Sequence, residues 1–330
     1  MKAIFLCQST DKIFRVYDEQ TRSALRELTG IEKTVYSKED ILNDPSSFQD
    51  VEWIFSTWGM PVLTEDEIRC CLPNLKCLFY GAGTVKKFAR PFLNCGVKVF
   101  SAWAANAVPV AEYTVAQIIL ANKGFFKTMR YTDRTVARKE AGQFPGNYDV
   151  KIGIIGAGMI GKLVIRKLKD YNLEVLVFDP FLPDATAQEL GVKKVSLETL
   201  FAQCQVVSNH LANNKQTEGM LNGALFAAML PYATFLNTGR GAQVVEPDLI
   251  SVLKERPDLM AILDVTEPEP PEKDSALYTL ENCILTPHLA GSYGNEVRRM
   301  GEYMETEYQN FIQNRPCKYE VTLQMLETMA

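Results

Sequence analysis

The sequence predicts an α/β protein made of two parallel-sheet domains, the second inserted in the first. Three observations carry this. Short β-rich runs alternate with helical stretches over about the first hundred residues, and a second alternation runs from Lys151 to about Thr286. The last helical stretch, Tyr293 to Asn314, comes after the second domain is complete and is expected to cross back to the first. Alternation of this kind buries parallel strands under helices. The expected boundaries are 1–102 with 291–330 for one domain and 103–290 for the other.

In the first domain the expected strands are Lys2 to Cys7, Glu32 to Tyr36, Glu52 to Thr57, Lys76 to Tyr80 and Val97 to Ser101. Ile13, Tyr17, Ala24 and Leu28 recur at helical spacing, so that stretch can lay one apolar face on a sheet. A second helix opens with the capping-box pattern Thr64, Glu65, Asp66, Glu67 and stops at Pro73. A third is expected to open at Pro109, where a missing backbone donor costs nothing, and to run toward Phe126. Lys123 to Lys139 carries six basic residues and reads as a solvated face. The second domain is expected to hold six strands, at 151–156, 174–179, 205–210, 233–238, 260–265 and 282–286, the count of one doubly wound sheet.

Composition agrees with an ordinary globular enzyme. The chain has 330 residues, 47% apolar and 23% charged, with net charge −5. That length can bury the cores of about two domains, and the acidic balance gives no reason to expect nucleic acid or an anionic membrane as partner. The eight cysteines are scattered without a CxxC pair, which fits a reduced, cytoplasmic chain and no metal site. The N-terminal apolar run is too short for a signal segment, and no membrane span is expected. Only two histidines exist, His210 and His288, so any chemistry that needs an imidazole has two candidates.

The run KIGIIGAGMIGKLVIRKL sets Gly156, Gly158 and Gly161 in GxGxxG register after an apolar strand and at the mouth of a helix. The first glycine permits a tight turn, the second lets a pyrophosphate approach the backbone, and the third lets helix and strand pack closely. Free amides at the helix start, on Met159, Ile160 and Gly161, would receive the phosphates. The next strand ends in Asp179, 18 residues after Gly161. A carboxylate there accepts hydrogen bonds from ribose hydroxyls and repels a 2′-phosphate, which favours NAD over NADP.

Three more segments end predicted strands: FLNTGRGAQVV with Arg240, AILDVTEPEPP with Asp264, Glu267 and Glu269, and CILTPHLAGS with His288. With these four ordered motifs the chain resembles, over nearly its full length, the D-isomer-specific 2-hydroxyacid dehydrogenases of the formate and glycerate dehydrogenase-like superfamily. The resemblance implies a Rossmann NAD-binding domain inserted in a discontinuous flavodoxin-like substrate domain, with the active site in the cleft between them. It implies that Arg240 binds substrate, that Glu269, five residues after Asp264 and before Pro270, is the family's glutamate, and that His288 is the acid/base. The residue types suit that chemistry. Reducing a 2-keto acid needs a proton at the carbonyl oxygen, which a histidine oriented by a carboxylate can deliver, and an arginine fork holds a carboxylate.

The resemblance further implies that His210 lies beside the cofactor, that Thr238 and Asp264 flank the nicotinamide, and that backbone amides of Ala82 and Gly83 hold the substrate carboxylate. Ala212 stands where the family commonly has Pro, and Val85 and Lys86 follow FYGAGT where it often has Asp. Glu112 reads as structural, and Trp58 and Trp103 as core or as cleft wall. A homodimer is implied, as is a small 2-keto or 2-hydroxy acid of the glyoxylate, hydroxypyruvate or phosphoglycerate kind. The end of the chain at Ala330, without the regulatory domain of many phosphoglycerate enzymes, weighs against the last of these. The alternative from another class is a dinucleotide-sensing, corepressor-like binding protein, since relatives of this fold keep the same Arg, Glu and His.

Overall fold

In the computed structural model, which describes residues 2–328, the chain divides into two units, Met1–Asn106 with Ser292–Ala330, and Ala107–Gly291. The first is built on β1 (Lys2–Leu6), β2 (Val35–Tyr36), β3 (Val51–Ser56), β4 (Cys77–Tyr80) and β5 (Lys98–Ser101), parallel and in the order β5-β4-β3-β1-β2. Its side chains alternate strictly across the sheet. Leu6, Ile54, Leu78 and Val99 enter one core, and Phe5, Phe55, Phe79 and Phe100 the other. Phe79 stacks between Phe55 and Phe100, with ring centroids 5.1 and 4.9 Å away. The helix Arg298–Ile312 covers that aromatic face with Met300, Met304 and Tyr308, the last edge-on to both Phe55 and Phe79 at 5.7 Å.

The second unit is built on β6 (Tyr148–Ile155), β7 (Asn172–Phe178), β8 (Lys193–Lys194), β9 (Val206–Asn209), β10 (Thr234–Asn237), β11 (Met260–Leu263) and β12 (Cys283–Leu285). All run parallel in the order β12-β11-β10-β9-β6-β7-β8. The order reverses between β6 and β9, and open α/β sheets bind ligands outside the carboxyl ends of their strands at such a reversal. The predicted α/β class of two sheet-based units is the observed one.

Several local expectations need correcting. The stretch from Ile13 to Leu28 is two helices, Thr10–Val16 and Glu19–Thr29, because the Asp18 side chain accepts the Thr21 amide at 3.0 Å and starts a new helix; Leu28 is left exposed. The helix expected at Pro109 begins at Trp103 and carries Pro109 inside it. Ala104, Ala105, Ala107 and Ala111 are buried along it, and this burial stands against the roughly 3 kcal/mol an interior proline costs. That helix, Trp103–Asn122, is also long and apolar enough to cross a membrane by length and composition, contrary to expectation, although half of it is buried in the protein.

The second sheet has seven strands, not six, the extra being the edge pair Lys193–Lys194. The first sheet is mixed, because Glu320–Val321 adds to β5 in antiparallel sense. Two-residue edge strands rich in charge are hard to read from pattern, since charge is how edges are protected. The basic stretch carries a helix, Arg134–Ala141, with no buried residue, and Lys123, Arg130, Arg134 and Arg138 are exposed.

Candidate active site

The carboxyl end of β6 turns at Gly156, whose φ of +87° favours glycine and where a Cβ would meet the His210 carbonyl oxygen at 2.8 Å. A Cβ at Gly161 would strike the Gly156 oxygen at 2.0 Å, so helix and strand meet through hydrogen atoms alone. A Cβ at Gly158 would meet nothing within 4 Å. The loop is therefore closed on its protein side and open on the other, above the start of the helix Met159–Leu168. Helix geometry leaves the amides of Met159, Ile160 and Gly161 without acceptors inside the helix. These residues fit a dinucleotide pyrophosphate. Asp179, at the end of the neighbouring β7, ties the loop down: its carboxylate accepts the Ala157 amide and the Phe181 amide, each at 2.8 Å.

The two histidines sit in opposite environments. His210 follows β9, donates its backbone amide to Ile155 O at 2.7 Å, and is buried with its ring between Ser208 Oγ at 2.9 Å and Thr238 Oγ1 at 3.3 Å. Burial pushes its pKa down to about 3, so the ring is neutral at ordinary pH. The unfolded chain takes up a proton at about 6.5 that the folded one refuses. The stability linked to this one ring is thus complete above about pH 6.5 and falls by about 1.4 kcal/mol per pH unit as the pH drops toward the folded value. Urea unfolding between those limits is expected to show a pH slope steeper in the wild type than in His210→Gln by about one proton.

His288 is half exposed, and its Nδ1 lies 2.5 Å from Glu269 Oε1. Its backbone is left-handed, with φ +51°, a strained setting for a side chain of this size. Asp264 holds it there. That carboxylate is buried and accepts the Leu289 and Ala290 amides, both at 2.9 Å, and the Thr286 hydroxyl at 2.6 Å. The resemblance sets Asp264 beside the nicotinamide, and in the structure its two oxygens are engaged by the turn that carries His288. Asp264, Glu269, Pro271, Tyr278, Thr286 and His288 line a recess of about 450 Å³.

Arg240, in the turn after β10, donates from Nη1 to Gly239 O at 2.7 Å. Burial lowers its pKa and the Glu269 carboxylate nearby opposes that, so the guanidinium keeps its charge. Arg240, Glu269 and His288 are thereby brought together in one unit. In the first unit, the turn after β4 is held by Ser101 Oγ, which donates to the Ala82 and Gly83 carbonyls at 3.0 and 2.5 Å. The Ala82 amide donates to Tyr80 O at 2.8 Å and is not a free donor.

Trp58, at the end of β3, is 38% exposed and therefore not core. Trp103 packs edge-on to Tyr319 at 5.6 Å. Glu112 pairs with Lys167 at 3.1 Å on the surface of the second unit. Sequence reasoning missed Ser208, Asn209, Asn237 and Gln243, polar side chains buried behind the strand ends. The signal was there: a polar residue closing an otherwise apolar strand must have a partner inside.

A parallel sheet with a glycine loop at its reversal, and an acidic residue ending the adjacent strand, defines the dinucleotide-binding class of α/β proteins. Residues 115–290 match the family described as D-isomer specific 2-hydroxyacid dehydrogenase, NAD binding domain. The chain is 30% identical over 301 residues to a D-3-phosphoglycerate dehydrogenase of Archaeoglobus fulgidus, covering 89% of this chain and 55% of that one. It is 32% identical over 199 residues to a (S)-sulfolactate dehydrogenase of Chromohalobacter salexigens, covering 59% and 63%. Among solved structures, the D-mandelate dehydrogenase of Rhodotorula graminis superposes with a TM-score of 0.79 at 22% identity, over 97% of each chain. The chain belongs to the D-isomer specific 2-hydroxyacid dehydrogenase family, and the domain it matches is the one that binds NAD. It spans about half the length of the relatives it matches in sequence.

Proposed function

We propose that the protein is an NAD-dependent oxidoreductase that interconverts a D-2-hydroxy acid and the corresponding 2-keto acid. The observation that carries the reading is the His288–Glu269 pair, 2.5 Å apart in a recess, with the Glu269 carboxylate acting on the charge of Arg240. NAD, when bound, supplies or accepts the hydride. The protein's part is to hold the acid and move one proton. Glu269 orients the His288 ring through Nδ1, which leaves Nε2 to give a proton to the substrate oxygen in reduction and to take it back in oxidation. Arg240 presents its planar fork to the substrate carboxylate and its charge to the developing alkoxide. Gly83 keeps the substrate-binding role assigned to that turn, with Ala82 shaping it rather than donating.

For the cofactor, Gly156, Gly158, Met159, Ile160 and Gly161 would cradle the pyrophosphate and Asp179 the adenosine ribose, with His210 and Thr238 as the neutral wall beside them. NADH is expected to outperform NADPH by about a hundredfold in kcat/KM, because a 2′-phosphate would face the Asp179 carboxylate. Asp179→Ser should narrow that ratio to within about tenfold, chiefly by admitting NADPH. Equal use of both cofactors by the wild type would remove Asp179 from the ribose role.

The substrate is a small 2-keto or 2-hydroxy acid of the glyoxylate, hydroxypyruvate or phosphoglycerate kind. A cytoplasmic homodimer fits two features of the chain. Its eight cysteine thiols are free, and Phe125, Met129, Val136 and Tyr148 of the second unit are exposed apolar side chains that a partner would cover. The reaction is tested by offering NAD with racemic 2-hydroxy acids and resolving what is left. Consumption of the D enantiomer alone supports the reading, and consumption of the L enantiomer refutes it.

A further inference from the structure

Behind the turn that bears Arg240 lie three carboxamides with essentially no exposure: Asn209 at the end of β9, Asn237 at the end of β10, and Gln243 in the 3-10 turn Gly241–Gln243. They form one closed network. Gln243 Oε1 accepts from the Arg240 amide at 3.1 Å and from Asn209 Nδ2 at 2.6 Å, while Gln243 Nε2 donates to Leu211 O at 2.9 Å. Asn209 Nδ2 also donates to Asn237 Oδ1 at 3.0 Å, and Asn209 Oδ1 accepts the Leu211 amide at 3.2 Å. Asn237 Oδ1 accepts the Gly239 amide at 3.0 Å, and Asn237 Nδ2 donates to Arg240 O at 3.1 Å. The Arg240 residue is therefore gripped by both its amide and its carbonyl. A Cβ at Gly239 would sit 2.8 Å from both Asn209 Nδ2 and Gln243 Oε1, so the turn is pressed directly against the carboxamides.

Three buried carboxamides are a demanding way to fill space that apolar side chains could occupy. Each polar atom left without a partner is penalised, and a fully satisfied network admits one geometry where an apolar core admits several. The geometry fixed here is that of a single turn. The Arg240 side chain adds a bond to Gly239 O inside the same turn, so the guanidinium follows wherever the network sets the backbone. We propose that Gln243 is a positioning residue that sets Arg240 for the substrate carboxylate. This rests on the substrate role proposed for Arg240, because a fork of donors must be held within about 0.5 Å to act as one.

The test compares Gln243→Met, close in shape and without either polar contact, with the wild type. The KM for the preferred 2-keto acid is expected to rise about tenfold, with the NADH dissociation constant changed by less than about twofold. In an Arg240→Lys background the same change should leave KM within about twofold, since the residue it positions is already gone. Gln243→Glu supplies a second readout. A protonated glutamic acid at that position reproduces the acceptor and donor of the amide, whereas a carboxylate loses the donor to Leu211 O. The ratio of its KM to the wild-type KM is therefore expected to fall toward one as the pH drops from about 8 to about 5.5.

A purely structural role would lower the melting temperature and leave the KM of the folded fraction unmoved. Wild-type KM in folded Gln243→Met, full additivity with Arg240→Lys, or a KM ratio for Gln243→Glu that is flat with pH would each overturn the proposal while the wild type still turns over. A wild type that reduces no 2-keto acid overturns the proposed function and this inference with it.

Discussion

Replacing His288 with asparagine is expected to lower kcat about a thousandfold, with NADH affinity changed by less than about twofold. Both halves of this result follow from the geometry. The His288 side chain is bound to Glu269 through Nδ1 at 2.5 Å and is half open to the recess. It has the ring nitrogen and the freedom to exchange a proton, and an amide at the same place can donate a hydrogen bond but does not transfer a proton at ordinary pH. The backbone half is less obvious. His288 sits at φ +51°, and asparagine tolerates that conformation better than most residues. The three bonds that Asp264 accepts from Thr286, Leu289 and Ala290 use backbone and threonine atoms and survive the substitution. The variant should therefore melt within a few degrees of the wild type. Activity retained in His288→Asn and lost in a folded His210→Gln would exchange the two histidines' roles. The neutral, fully engaged ring of His210 argues against that outcome.

Arg240→Lys is expected to reduce kcat/KM by about a thousandfold, through a higher KM and a lower kcat together. A lysine can restore one charge but not the pair of parallel donors that a carboxylate accepts. The site is also desolvated, and burial acts on the Arg240 charge against the pull of Glu269. An ammonium in that setting gives up its proton more readily than a guanidinium. The residual activity of the variant should consequently fall more steeply as pH rises than that of the wild type, whose guanidinium keeps its charge throughout. Steady-state kinetics over a pH series checks this. A variant whose KM is unchanged would show that Arg240 does not touch the substrate.

The fold was legible wherever pattern and chemistry coincided. The Gly156, Gly158 and Gly161 register could be read because strand, turn and helix each demand it, and the scarcity of histidine left only two residues to separate. Glu269 beside His288 came from the motif, and their 2.5 Å approach is a fact of the structure alone. What escaped the sequence was made by contacts between segments far apart in the chain. Asp264 bonds to residues 22 to 26 positions away, and Gln243 to a carbonyl 32 positions away. Periodicity carries no record of such bonds. The start of the long helix at Trp103 escaped for a related reason, since tertiary burial of its alanines overrode the local rule for Pro109. The edge pairs at Lys193 and Glu320 are too short and too charged for any strand pattern to reveal them.

The most direct test of the whole account is the consumption of NADH by the purified wild-type chain offered a panel of small 2-keto acids. The account predicts that at least one of them is reduced at about 1 to 1,000 turnovers per second, and that the His288→Asn variant binds NADH while reducing none at a comparable rate. Tight NADH binding with no 2-keto acid consumed would contradict it, and would make the chain a dinucleotide-binding protein that keeps the Arg240, Glu269 and His288 constellation without the reaction.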